Sequence, residues 1–151
     1  MTSRTIPQQP VTTSYTSRPW WQLGLGAGVI AAVINSIIYY VYNAVATTPI
    51  QVTMLGRSEV QDLPVLGVVF FSLVPALLAA LLAAGLKRWT SSASTWFVAI
   101  AVILGVVSLA SPLMLPDTIA MSAKLTLASM HIVAAATIIG TLLPKLNAER
   151  D

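Results

Sequence analysis

Long apolar runs separated by short polar stretches dominate the chain. Four of these runs are long enough to cross a membrane as helices, which takes about 20 residues each. We predict transmembrane helices over residues 20–46, 64–86, 95–115 and 122–143. Together they predict one all-α domain at residues 20–143, a transmembrane four-helix bundle with up-down-up-down topology.

The segments outside these runs have a different composition. Residues 1–19 are rich in Ser, Thr, Pro and Gln and lack apolar periodicity, so they bury too little apolar surface to offset the entropy of ordering. We predict a polar, flexible N-terminal tail there, which becomes ordered only against a partner, and a cytoplasmic C-terminal stub at residues 144–151. Between the first two helices, the run IQVTML before Gly56 has the pattern of a short strand.

Composition and charge narrow the class of protein. Of the 151 residues, 56% are apolar and 9% are charged, whereas a soluble domain carries about 25% charged residues. The chain contains no cysteine, which excludes disulfides, thiolate metal sites and cysteine nucleophiles. The formal net charge of +3 does not indicate a nucleic-acid partner, because the cations are scattered over tails and turns rather than gathered on one face.

The placement of Lys and Arg predicts an orientation. In a four-span protein, six cations lie on one side of the membrane and two, Arg57 and Lys124, on the other. The six are Arg4, Arg18, Lys87, Arg88, Lys145 and Arg150. Because cytoplasmic loops carry the excess of Lys and Arg, we predict that both termini are cytoplasmic.

Small residues mark the faces along which the helices pack, because helices in lipid associate through close contact and interhelical hydrogen bonds. At about 100° per residue, one sector of the first helix contains Gly24, Gly28, Ala31, Asn35, Tyr39 and Tyr42. The predicted packing positions lie on the first three helices and are Gly24, Gly28, Pro75, Gly105 and Pro112. We expect Pro75 to kink the second helix and Pro112 to bend the outer end of the third.

Polar residues inside the spans predict one interhelical layer. Its members are Asn35, Tyr39, Ser72, Ser108, Lys124 and His131. Lys124 and His131 are seven residues apart and share one face of the last helix. With a rise of about 1.5 Å per residue, Asn35 and His131 fall at similar depth and form the strongest candidate pair. We predict that His131 lies within one hydrogen bond or one water of Asn35 or Ser108.

Lys124 has two interpretations. It lies about one turn below the outer surface, where its stem extends to Asp117, Asp62, Glu59 or a lipid phosphate. Pairing of this kind is the structural interpretation, and binding of a substrate or headgroup is the functional one.

His131 has three interpretations: a structural hydrogen bond, a ligand-binding or proton-transfer role, and haem ligation together with a methionine such as Met114 or Met121. A protein metal site needs three or four ligands, and the spans contain no second His and no carboxylate. No Ser/His/Asp arrangement, HExxH motif or carboxylate pair indicates catalysis. The lack of an intramembrane acid also argues against a proton-coupled multidrug exporter of the small four-helix type.

Four stretches carry a family resemblance: NSIIYY (35–40), SLVPALLAAL (72–81), SLASPL (108–113) and KLTLASMHIVAAATII (124–139). They resemble an uncharacterised family of small bacterial four-helix integral membrane proteins, a domain of unknown function. The resemblance implies a multi-pass protein of the bacterial plasma (inner) membrane. It provides no biochemical activity. The positions that most mark its pattern are Asn35, Pro75, Pro112, Lys124 and His131.

These observations favour a non-catalytic integral membrane protein, an accessory or interaction subunit of a bacterial membrane complex. The alternative is a protein that binds or transports a small molecule, quinone or lipid in a polar pocket lined by Asn35, Tyr39, Ser108, Lys124 and His131. The expected partners are membrane lipids and other membrane subunits or a second copy, without nucleic acid. We predict no cofactor and no metal; a bound lipid or quinone would belong to the alternative.

Overall fold

The computed structural model describes residues 18–53 and 59–148. Within them the elements are α1 (Trp20–Val45), β1 (Gln51–Thr53), β2 (Val60–Asp62), α2 (Val65–Trp89), α3 (Ala93–Ser108), α4 (Ala110–Leu113) and α5 (Met121–Ala148). Most of the predicted tail, Gly56, and the last three residues of the predicted stub lie outside the described residues.

In the described part of the chain, four helical stretches are long and apolar enough to cross a membrane: Trp20–Val45, Val65–Trp89, Ala93–Leu113 and Met121–Ala148. Their outward faces carry large apolar side chains, such as Ile37, Leu81 and Ile103, that are more than half exposed. Soluble monomers rarely expose apolar surface this extensive. The helical class is therefore confirmed, and the fold is consistent with a multi-pass membrane protein.

The buried side chains form two clusters at opposite ends of α1. One surrounds Leu23 and Ala27 and includes Ala83, Phe97 and Leu146. The other surrounds Tyr42 and includes Ile50, Ile119, Ala123 and Leu127. Alanine is frequent in the first cluster, since α1 and α2 approach each other too closely for larger side chains there.

A two-stranded hairpin covers the second cluster. β1 and β2 pair antiparallel, with Gln51 opposite Asp62, and the Leu63 N–H donates to the Ile50 carbonyl at 2.8 Å. Ile50 is fully buried beneath it. We call this part of the molecule the hairpin end.

The third predicted helix is broken near its outer end. α3 ends at Ser108, and the Leu109 N–H donates to the Val106 carbonyl at 3.1 Å in a tighter turn before α4 begins. Pro112 has no N–H to donate to the Ser108 carbonyl, so the regular helical ladder is lost at this point. Pro112 itself is buried in α4. By contrast, α2 is continuous through Pro75, whose ring is exposed.

Two helices extend further than the apolar runs indicate. α2 continues to Trp89 and has Lys87 and Arg88 in its last turn, where cations complement the helix dipole. α5 continues through Pro144 to Ala148, because Leu142 and Leu146 are both buried on one side of it. Residues 144–148, predicted as part of a stub, are therefore part of the last helix.

Candidate functional site

Gly24 and Gly28 of α1 allow a close approach between α1 and α2. A Cβ atom on Gly24 would lie 2.6 Å from the Ala80 Cβ and 3.0 Å from the Ala76 carbonyl oxygen. On Gly28 it would lie 2.9 Å from a Leu73 methyl carbon. At Gly28 the backbone Cα of Leu73 would also lie 3.0 Å away, so at both positions a side chain would press on the backbone of α2. The close approach brings the polar residues of α1 against α2 one to two turns further along.

Asn35 joins three helices through its side-chain amide. The Asn35 Nδ2 donates to Ser72 Oγ at 3.2 Å and to the Met130 carbonyl at 3.3 Å. Asn35 and Ser72 are 4% and 2% exposed. The Ser72 hydroxyl donates to the Val68 carbonyl at 2.8 Å, so it is able only to accept from Asn35.

The orientation of this amide leaves one oxygen without a donor. Both groups near Asn35 Nδ2 are acceptors, which assigns the nitrogen to that side. Asn35 Oδ1 is buried and has no hydrogen-bond partner among the described residues. An unpaired carbonyl oxygen is less costly than an unpaired N–H, but it still loses its hydration.

His131 forms no direct hydrogen bond with Asn35 or Ser108 in the structure. Its ring is half-buried, and Nδ1 lies 2.8 Å from the Leu127 carbonyl of the preceding turn. A carbonyl only accepts, so Nδ1 carries the hydrogen and Nε2 of the neutral ring has the free lone pair. Ser108, the other predicted partner, donates to the Gly105 carbonyl at 2.7 Å. The Met130 carbonyl takes the place predicted for His131 beside Asn35.

Lys124 is buried at the hairpin end. It is 4% exposed, and its Nζ donates to the Leu115 carbonyl at 2.6 Å and lies 3.7 Å from Asp117 Oδ1. The Asp117 side chain is fully exposed. Lys124 therefore ties the segment between α4 and α5 to the first turn of α5. Asp117 is one of the partners predicted from the sequence; Asp62 and Glu59 are not in contact with Lys124 in the structure.

Tyrosines of α1 hold the hairpin end together. The Tyr39 hydroxyl donates to the Leu63 carbonyl at 3.0 Å, and the Tyr42 hydroxyl lies 3.1 Å from Ser122 Oγ. Asn43, which the sequence analysis did not single out, accepts from the Ile50 N–H at 3.1 Å. The sequence contained one signal for Asn43: it follows Tyr39 by one helical turn, so both residues lie on the face of α1 that is directed at the hairpin.

Lys145 organises the opposite end. It is 5% exposed, its Nζ lies 4.7 Å from the centre of the Trp20 ring, and it donates to the Arg18 carbonyl. The adjoining turns of α1, α2 and α3 carry two more cations, Lys87 and Arg88, and three more tryptophans, Trp21, Trp89 and Trp96. We call the four cations and the four tryptophans together the basic end; the cations are Arg18, Lys87, Arg88 and Lys145.

The predicted polar residues thus bond in separate places. Asn35 and Ser72 contact each other, Tyr39 binds the chain before α2, and Lys124 binds the chain before α5. Two open apolar grooves lie elsewhere in the part of the chain that the structure describes. One, of about 460 Å³, runs between α1 and α2 past Ser36 and Tyr40, and one of about 330 Å³ runs between α1 and α5 past Thr126. None of the six predicted polar residues lines either groove.

The family model that matches this chain is described as a family of unknown function, DUF6069, and it covers residues 15–148. The chain belongs to this family. The match confirms the resemblance to an uncharacterised family and spans all four helical stretches of the DUF6069 chain. No curated protein and no solved structure matches it.

Proposed function

We propose that this DUF6069 chain is a non-catalytic, multi-pass protein of a bacterial plasma membrane and acts as an accessory or interaction subunit of a membrane complex. The observation that carries the proposal is that its buried polar side chains form hydrogen bonds within the chain. Asn35 and Lys124, the most buried of the predicted polar residues apart from Ser72, point their donors at Ser72, Met130 and Leu115 of the same chain. A ligand would have to displace these bonds.

Close packing supports the same proposal. Gly24 and Gly28 allow α1 and α2 to approach closely in the turns before the polar layer. The surface that remains available is the apolar outside of the helices, most of all on α3, where Ile103, Val106 and Val107 are each more than 60% exposed. A protein with a solid interior and a large apolar exterior interacts through its outer faces, with lipid and with other membrane subunits.

The alternative is a pocket for a small molecule, quinone or lipid between the helices. His131 is the observation that favours it, because its ring is half-buried and its Nε2 has no partner among the described residues. The remaining residues of that predicted pocket are dispersed over the hairpin end and the centre. The alternative therefore depends on one side chain, and it is the weaker of the two proposals.

An up-down-up-down topology with cytoplasmic termini completes the proposal. Gly24 contacts Ala80, and Gly28, which comes later in α1, contacts Leu73, which comes earlier in α2. This order supports opposite directions for α1 and α2. Lys145, near the end of α5, contacts Trp20 at the start of α1. The basic end carries most cations of the described residues, which supports its placement on the cytoplasmic side.

Site-specific photo-crosslinking tests the proposed function. A crosslinking amino acid replaces Ile103, which is 61% exposed, and in a matched control Phe97, which is fully buried in the same helix. We expect a discrete protein adduct, of constant mass, from position 103 in intact membranes and none from position 97. Adducts with lipid alone at position 103 and at several other exposed positions, including Leu81 and Ile132, would contradict a subunit role.

A further inference from the structure

We propose that the basic end binds the headgroups of anionic phospholipids through Arg18 and Arg88. This end of the bundle would select anionic lipids in a symmetric bilayer as well. The selection does not depend on whether the chain is an accessory subunit or on which side of the membrane the basic end faces.

Charge is partitioned between the two ends. The three carboxylates among the described residues, Glu59, Asp62 and Asp117, all belong to the hairpin end. No described residue of the basic end is a carboxylate, and its two exposed cations are Arg18 and Arg88. In the sequence, residues 149–151 add one cation and two acids after α5, which still leaves an excess of positive charge. A phosphodiester headgroup with a net negative charge complements this end, and a zwitterionic headgroup does so less well.

Arg88 is presented to the bilayer surface beside a tryptophan. Its side chain is exposed, and Trp89, the next residue, is 82% exposed with its ring packed over Gly85. Tryptophan rings favour the depth of the headgroups, which places the neighbouring guanidinium at phosphate level. A guanidinium also matches two phosphate oxygens with parallel N–H groups.

Arg18 is held at the same level by its backbone. Lys145 donates to the Arg18 carbonyl and packs over Trp20, and both Lys145 and the adjoining Leu146 are buried. The Arg18 side chain itself is exposed. Lys145 therefore serves the fold, and it positions Arg18 as the cation that faces the headgroups next to the half-exposed Trp21.

The helix dipoles largely cancel at the basic end, because two helices begin there and two end there. α1 and α3 both begin at the basic end, and neither has a side-chain cap or an acidic residue in its first turn. α2 and α5 end there with basic residues in their last turns, which offset the negative ends of their dipoles. The positive potential of this end therefore comes from its cations.

Tryptophan fluorescence provides a direct test, because all 4 tryptophans of the chain belong to the basic end. The protein is reconstituted in phosphatidylcholine mixed with phosphatidylglycerol, and either lipid is supplied with brominated acyl chains that quench nearby tryptophan. The ratio of quenching gives the relative association constant of the two lipids. We expect phosphatidylglycerol to be preferred, and we expect the preference to fall by about fivefold for each arginine removed, towards unity in R18Q/R88Q.

Matched variants separate this account from general effects. R57Q removes one cation from the sequence between β1 and β2 and should keep the full preference. R88K, which retains the charge, should keep most of it. Circular dichroism confirms that each variant is folded. Inorganic phosphate, compared with chloride at equal ionic strength, should leave the preference unchanged.

Three results would overturn the proposal. The first is equal quenching by the two lipids in the unmodified chain. The second is an unchanged preference in folded R18Q/R88Q. The third is loss of the preference with inorganic phosphate but not with chloride, which would assign the site to a free anion.

Discussion

Replacing Gly24 with alanine should destabilise the bundle, whereas the same change at Gly26 should not. The Gly24 Cβ would lie 2.6 Å from the Ala80 Cβ and 3.0 Å from the Ala76 carbonyl oxygen, while a Cβ on Gly26 would meet nothing within 4 Å. At Gly24, the backbone of α2 has to move away. Overpacking of this kind costs about 1–3 kcal/mol.

The two variants share every other effect of the substitution. Each gains up to about 1 kcal/mol of helix propensity on replacing glycine with alanine, and each adds one methyl group to the same helix. The difference between their unfolding free energies therefore isolates the packing cost. We expect G24A to be about 1–3 kcal/mol less stable than G26A.

Unfolding by sodium dodecyl sulfate in mixed micelles, followed by circular dichroism, measures this difference. The slope of the unfolding free energy against detergent is compared between G24A and G26A, because a change in slope would indicate an effect on the unfolded state. G28A serves as a second tightly packed position. If G24A and G26A agree within about 0.5 kcal/mol, the close approach of α1 and α2 is wrong, and with it the argument that the bundle interior is solid.

Three further predictions concern polar residues. Asn35→Leu removes two interhelical hydrogen bonds worth about 0.6 kcal/mol each and also one unpaired oxygen, so the same unfolding assay should show a loss of no more than about 1 kcal/mol; a failure to fold would contradict this. Lys124→Met should lower the unfolding free energy by about 1.5–3 kcal/mol, the range for a charge-assisted hydrogen bond, whereas Asp117→Asn should leave it unchanged because that carboxylate is exposed; equal effects would mean that the ion pair, not the Leu115 carbonyl, holds Lys124. In intact cells, an impermeant thiol reagent should label Glu59→Cys and not Ser91→Cys, and the reverse pattern would invert the proposed orientation.

Sequence periodicity was sufficient for the features that depend on one helix at a time. The sector of α1 from Gly24 to Tyr42 follows from steps of 100°, and its glycines, Ala31 and Asn35 are buried in the structure. The irregular end near Pro112 agrees with the missing N–H of proline, but α2 and α5 continue through Pro75 and Pro144. The periodicity of α1 depends on local geometry alone, whereas the effect of a proline also depends on its surroundings.

Features that depend on how two helices cross were not accessible in the same way. The axial rise placed α5 at the right depth opposite Asn35, but adjacent residues differ by only 1.5 Å in height. The rotation of α5 decides between them, and it presents the Met130 carbonyl while His131 bonds to Leu127. Rotation is set by packing against all neighbours at once.

Lys145 illustrates a second limit. The last predicted helix covers residues 122–143, so the sequence predicted a stub from residue 144 onwards. The helix continues because Leu142 and Leu146 fit the first cluster and Trp20 covers the ammonium group. A tertiary contact with the start of the chain, more than a hundred residues away, overrides the local signal.

Native mass spectrometry of the gently solubilised protein tests the central claim most directly, since it weighs the chain together with whatever it retains. The account predicts a stoichiometric assembly with another membrane protein subunit, with lipids as the only small molecules bound. A lone chain that retains one quinone or other small molecule, released by a change at His131, would contradict it and establish a pocket between the helices.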